Sequence, residues 1–88
     1  MGIDHSINNF KDQLEKHHVF PGYYTFKFIL PADKVEMINP IFLPDDLVLK
    51  PSRNGKYISV TAKISVESSD DVIRIYKKTS HIEGIIKL

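Results

Sequence analysis

A chain of 88 residues has room for one domain with one modest core. Its 42% hydrophobic and 26% charged content is the balance of a chain that folds rather than one that stays disordered. Twelve basic against eleven acidic side chains leave a net charge of +1, so binding to nucleic acid or an anionic membrane would need a local patch, and the lack of cysteine excludes disulfides, thiol catalysis and cysteine-ligated metals.

Ile3, Ile7, Phe10 and Leu14 recur at steps of four, three and four, which predicts an amphipathic helix capped by Asp4 or Ser6. This segment lacks the apolar run behind a basic start that marks a signal peptide, and no stretch approaches the ~20 apolar residues of a membrane span. Gly2 and Ser6 match the bare myristoylation pattern, but nothing polybasic follows to supply a second membrane signal. A cytoplasmic location with no membrane contact is therefore expected.

Phe20-Pro21-Gly22 ends the helix, because the residue before proline is pushed out of the α region. Tyr23–Leu30 then alternates as a strand, with Tyr24, Phe26, Phe28 and Leu30 on its core face. Val35, Ile38 and Phe42 form the next apolar stripe. Pro40 makes that helix short or interrupted near Asn39, the least regular element expected.

A second strand begins at Leu47. Asn54-Gly55 predicts a two-residue type I′ hairpin that sets Arg53 opposite Lys56, Ser52 opposite Tyr57, Lys50 opposite Ser59 and Leu49 opposite Val60. The third strand, from Tyr57, points Ile58, Val60, Ala62, Ile64 and Val66 to one face and hydroxyls and lysine to the other. Ser68 and Asp71 resemble a capping box for a helix whose buried stripe is Val72, Ile75, Tyr76 and Thr79. A last strand is expected over Gly84–Leu88, with Ile86 and Leu88 on one face and Ile85 and Lys87 on the other.

After the leading helix the order is thus β-α-β-β-α-β. Two helices on one face of a four-stranded antiparallel sheet bury every apolar stripe at once, so the expected class is an α+β, ferredoxin-like sandwich. Residues 1–88 form a single domain in this reading, with 1–19 as N-terminal helix and lead-in and 20–88 as the ferredoxin-like core.

The run Lys50-Pro51-Ser52-Arg53-Asn54-Gly55-Lys56-Tyr57-Ile58-Ser59-Val60, with Phe20-Pro21 and Tyr24-Thr25-Phe26-Lys27 upstream, resembles the YbeD-like family, domain of unknown function number 493. The ending IRIYKKTSHIEGIIKL is similar to that of members from the Bacteroidetes group. The likeness covers about residues 19 to 88 and is most specific at K-P-S-x-x-G-x-Y-x-S. It implies a ferredoxin-like fold similar to ACT regulatory domains and a cytoplasmic bacterial setting, with no activity established for the family. The first crossover helix, cut by Pro40, departs from the family pattern. ACT-type ligand sites use a glycine-bearing turn after the first strand, where this chain has Pro31-Ala32-Asp33.

The residues announce no catalytic chemistry. His5, His17, His18 and His81 lack the spacing of metal ligands, and adjacent His17 and His18 point about 100° apart on a helix. Asp45-Asp46 and Asp70-Asp71 suit turn and capping duty, since solvated carboxylates have no cause for a raised pKa. No G-x-S-x-G elbow or glycine-rich phosphate loop occurs. No enzyme, cofactor or metal is expected.

One surface has substance. Thr25, Lys27, Lys50, Ser52, Tyr57, Ser59, Thr61, Lys63 and Lys87 should project from the open sheet face, with Arg53 and Lys56 on its rim. Hydroxyls beside lysines suit an anionic ligand or a protein partner. RNA-recognition domains of the same topology stack bases on aromatics of the first and third strands, and here Ser59 and Thr61 hold the third-strand positions. Nucleic acid is therefore not the expected partner. The expected function is a non-enzymatic regulatory or protein-interaction module, with an unidentified protein partner or a homodimer through sheet or edge contacts. The alternative is a sensor for an anionic or amino-acid-like small molecule.

Overall fold

The alternation of Tyr23–Leu30 resolves as one central strand, paired along its whole length with a single neighbour. In the computed structural model, which describes residues 2–88 and side chains from residue 9 onward, helix α1 (Gly2–His17) precedes strand β1 (Gly22–Pro31). A 3₁₀ segment (Ala32–Ile38) and a 3₁₀ turn (Pro44–Asp46) lead to β2 (Leu47–Pro51) and β3 (Tyr57–Val66). Helix α2 (Ser69–Thr79) and β4 (Ile86–Lys87) complete the chain. The sheet order is β2-β3-β1-β4 and every neighbouring pair is antiparallel, which is the ferredoxin-like arrangement.

β1 and β3 pair along their whole length, with Phe26 opposite Ala62 and Phe28 opposite Val60. Because side chains alternate, this register puts one apolar row of each strand beneath the sheet. Phe26, Phe28, Leu30, Val60 and Ala62 are fully buried there. Phe26, Phe28, Phe42 and Tyr76 form the aromatic centre, with ring centroids 5.1–6.2 Å apart.

The first crossover is a 3₁₀ segment rather than an α-helix. Ile41 and Phe42 both donate backbone N–H groups to the Ile38 carbonyl across Pro40, and Ile38 and Phe42 are buried, as their spacing predicts. α1 supplies a second helix beside α2. Leu14 enters the core, Phe10 meets the Tyr76 ring edge-on at 5.6 Å, and the Ser69 hydroxyl donates to Glu15 at 2.9 Å. Lys11 pairs with Asp70 at 3.1 Å. The helix cap expected at Asp4 or Ser6, and Ile3 and Ile7 of its stripe, lie outside the described side chains, as does His5.

Three local expectations need correction. The central turn is not type I′. Gly55 donates to the Ser52 carbonyl, so the turn closes around Arg53 and Asn54, and of these residues Gly55 alone has positive φ, at 75°. Asn54 Oδ1 accepts from the Lys56 N–H and the Ser52 hydroxyl, which satisfies the turn internally and leaves Asn54 in ordinary backbone. Four residues still separate Ser52 from Tyr57, so the register survives: Ser52 bonds Tyr57, Lys50 faces Ser59 and Leu49 faces Val60.

At α2, Ser68 takes the N-cap position but its hydroxyl makes no cap bond; Asp71 reaches back to the Glu67 N–H at 2.8 Å instead. Ile73 is also buried, beside the expected Val72 and Thr79.

β4 is two residues long, with Lys87 opposite Phe28 and Ile86 opposite Ile29. That pairing puts Lys87 on the helix side of the sheet, contrary to its expected place on the open face. Which side of an edge strand faces out depends on a single-residue choice of partner, and Lys87 is drawn to the Tyr76 ring, 5.4 Å from its ammonium.

Candidate functional site

The open face keeps most of its expected members. Register sets Thr25 opposite Lys63, Lys27 opposite Thr61, Val48 opposite Thr61 and Lys50 opposite Ser59. Lys27, Lys50 and Lys63 therefore come from three neighbouring strands on successive same-face rows, about 7 Å apart along the strand direction. They do not converge on one point. Lys63 instead leans over the Tyr23 ring at 5.3 Å.

Several polar groups of this face are already engaged. Ser52 donates to Asn54 Oδ1 and accepts from the Tyr57 N–H, and Ser59 donates to the Lys50 carbonyl at 3.4 Å. Arg53 and Lys56 sit in the exposed turn, and Tyr57 is half-exposed opposite Pro31. The structure thus collects Lys27, Lys50, Tyr57, Ser59, Thr61 and Lys63 on one face. It ties Ser52 into the turn with Arg53 and Lys56, and it moves Lys87 away.

Apolar side chains on the sheet surface are the part that residue patterns missed. Val48 and Ile86 are 67% and 54% exposed, and both lie on the open face by register. Leu49 is 48% exposed at the outer strand. Their signal in the sequence, an apolar Leu47-Val48-Leu49 run without alternation, is the same that a fully buried strand would give.

The outer edge of β2 can be read bond by bond. Ser52 and Tyr57 form a hydrogen-bonded pair, and antiparallel pairs alternate, so Lys50 and Val48 direct their backbone groups inward to β3. Leu47, Leu49 and Pro51 direct theirs outward. Pro51 loses no ladder bond by lacking an N–H, which is why an edge strand tolerates it there. The Leu47 N–H is taken by the Pro44 carbonyl. The Leu49 N–H and the carbonyls of Leu47, Leu49 and Pro51 remain on the rim.

Two hollows flank the sheet. One, of about 480 Å³, lies on the helix side at the β4 edge, lined by Phe10, Tyr24, Ile73, Tyr76, Lys77, Ser80, Lys87 and Leu88. Tyr24 and Tyr76 hydroxyls meet in it at 3.1 Å. Burial, reinforced by that hydrogen bond, pushes Tyr76 well above the ordinary tyrosine range. The other, of about 470 Å³, lies by Tyr23, Phe42, Leu43 and Lys63.

Two further titratable groups are engaged locally. The Asp70 carboxylate, by hydrogen bond and charge, raises Lys11; the Glu67 N–H, helped by Arg74, lowers Asp71. Asp45 is exposed in its 3₁₀ turn. His17, His18 and His81 are exposed, with His18 edge-on to Tyr24 at 5.0 Å. Among the described residues no three His, Asp or Glu side chains are grouped to hold a metal, and no helix is long and apolar enough to cross a membrane.

Comparison with known proteins identifies a family. The profile of the family described as "Protein of unknown function (DUF493)" matches residues 15–88. A UPF0250 protein of Shewanella halifaxensis is 33% identical over 73 residues, covering 75% of this chain and 83% of its own. One from Buchnera aphidicola is 33% identical over 79 residues, covering 82% and 90%. Another, from Shewanella oneidensis, is 32% identical over 73 residues, covering 75% and 83%. No solved structure matches the chain. The chain belongs to the DUF493 family.

Proposed function

We propose that this DUF493 member is a non-enzymatic regulatory module that acts by protein association, and that its interface is the outer edge of β2 pairing with a second copy of the chain. The observation that carries this reading is that the register turns the Leu49 N–H and the carbonyls of Leu47, Leu49 and Pro51 outward, with no partner for them among the described residues, on a strand whose Val48 and Leu49 are 67% and 48% exposed. Edge strands left apolar and uncovered are templates for strand addition.

A two-fold axis at Val48 fits the edge to itself. Leu49 of each copy would donate to the partner's Leu47 carbonyl, Val48 would meet its own counterpart, and Lys50 would lie opposite the partner's Asp46. The contact is short, so it suits a transient dimer rather than a permanent one. The absence of cysteine supports a cytoplasmic setting, and the resemblance to ACT domains supports a regulatory task. The chain's ending supports a place near Bacteroidetes-type members.

Sedimentation equilibrium up to about 1 mM protein tests the reading, a range suited to weak contacts. Concentration-dependent dimer is expected from the unmodified chain. Lys50→Asp should weaken it, Asp46→Lys with Lys50→Asp should restore it, and Leu49→Pro should abolish it with an unchanged far-ultraviolet CD spectrum. A monomer at every concentration overturns the proposal, as does a dimer indifferent to all three changes.

A further inference from the structure

The groove at the β4 edge is separate from β2, which lies at the other end of the sheet. We infer that this groove binds a small monocarboxylate carried on an aromatic or similarly compact apolar body. The walls argue for the body. Phe10, Tyr24, Ile73 and Tyr76 form the apolar wall of an open hollow of about 480 Å³, within the ~300–1,000 Å³ of small-molecule sites. Phe10 and Tyr76 stand edge-to-face at 5.6 Å, leaving ring faces and edges for another π system to pack against.

The polar groups argue for the carboxylate. Lys77 and Lys87 line the groove, no acidic side chain does, and among the described residues neither lysine forms an ion pair. Lys87 is held above the Tyr76 ring at 5.4 Å, so its ammonium is placed over the hollow. One of the Tyr24 and Tyr76 hydroxyls donates to the other at 3.1 Å, and the accepting hydroxyl keeps its own O–H to donate. Two ammonium groups and one O–H beside an apolar hollow match a carboxylate's acceptors, and the salt-bridge geometry would add specificity.

The test is an NMR titration of the full chain with 3-phenylpropionate, alongside 3-phenylpropanol for the body alone and acetate for the charge alone. Saturable amide shifts at Phe10, Ile73, Lys77, Ser80 and Lys87 are expected with 3-phenylpropionate, and both controls should bind at least about tenfold more weakly. Lys77→Ala with Lys87→Ala should weaken binding by about tenfold and bring 3-phenylpropionate close to 3-phenylpropanol. Tyr76→Phe should weaken it by a smaller factor while the aromatic shifts persist. No saturation by about 10 mM, equal binding of the alcohol, or shifts centred on Lys27, Lys50 and Lys63 instead would each overturn the inference. Loss of the β2 dimer would leave this result unchanged.

Discussion

Tyr24 on β1 and Tyr76 on α2 join hydroxyl to hydroxyl at 3.1 Å, tying the sheet to its covering helix through a partly buried polar bond. Tyr76 holds its proton more tightly in the fold than in the unfolded chain, because burial, and then the bond to Tyr24, penalises the phenolate. A group whose pKa is raised on folding contributes fully below its unfolded value, about 10 for tyrosine, and loses that contribution as pH rises beyond it. The urea midpoint should therefore fall from about pH 9 to pH 11, and Tyr76→Phe should flatten that fall. An identical pH profile in the variant would show that Tyr76 titrates normally.

The central turn should respond to Gly55 more than to Asn54. Alanine at φ 75° meets the left-handed penalty of about 1–2 kcal/mol, although no neighbouring atom obstructs its Cβ. Asn54→Ala removes the acceptor of two hydrogen bonds in a solvated turn and should cost about 1 kcal/mol or less. Thermal melts of the two variants check the order. A type I′ turn would have made both positions demand positive φ.

Opposite faces of β1 should separate cleanly under truncation. Phe26 is fully buried, so Phe26→Ala should cost about 3–5 kcal/mol, a large share of a small domain's stability. Tyr23, on the same strand but 70% exposed, should cost under about 1 kcal/mol when truncated. Chemical denaturation of the pair measures the contrast. Comparable losses would contradict the face assignment.

The seam between α1 and α2 should show the asymmetry of a buried hydroxyl. Ser69 is 1% exposed and donates to the exposed Glu15. Glu15→Ala strands that hydroxyl and should cost about 1–2 kcal/mol, whereas Ser69→Ala removes it and should cost less. The double variant should cost no more than Glu15→Ala alone. Additive losses would mean the two side chains act independently.

How much of this was legible in residues follows the range of the forces involved. The alternation of Tyr24, Phe26 and Phe28 against Thr25 and Lys27 is local and period two, so the buried row could be read directly, as could Val60 and Ala62 opposite it. The register across Ser52 and Tyr57 was readable because loop length alone sets it, even though the turn type differed. The positions of Lys27, Lys50, Thr61 and Lys63 on one face followed from those two facts.

Hydrophobic period and turn length, properties of neighbours in the chain, were enough to place β1, the β2–β3 hairpin and α2, whereas the first crossover proved 3₁₀ and β4 shorter than its residues suggest. Tertiary structure alone decided the side on which Lys87 falls, the meeting of Tyr24 with Tyr76, and the uncovered rim of β2. Each depends on which distant segment comes to lie alongside. A two-residue edge strand or an unbroken apolar run carries no periodic signal to say so.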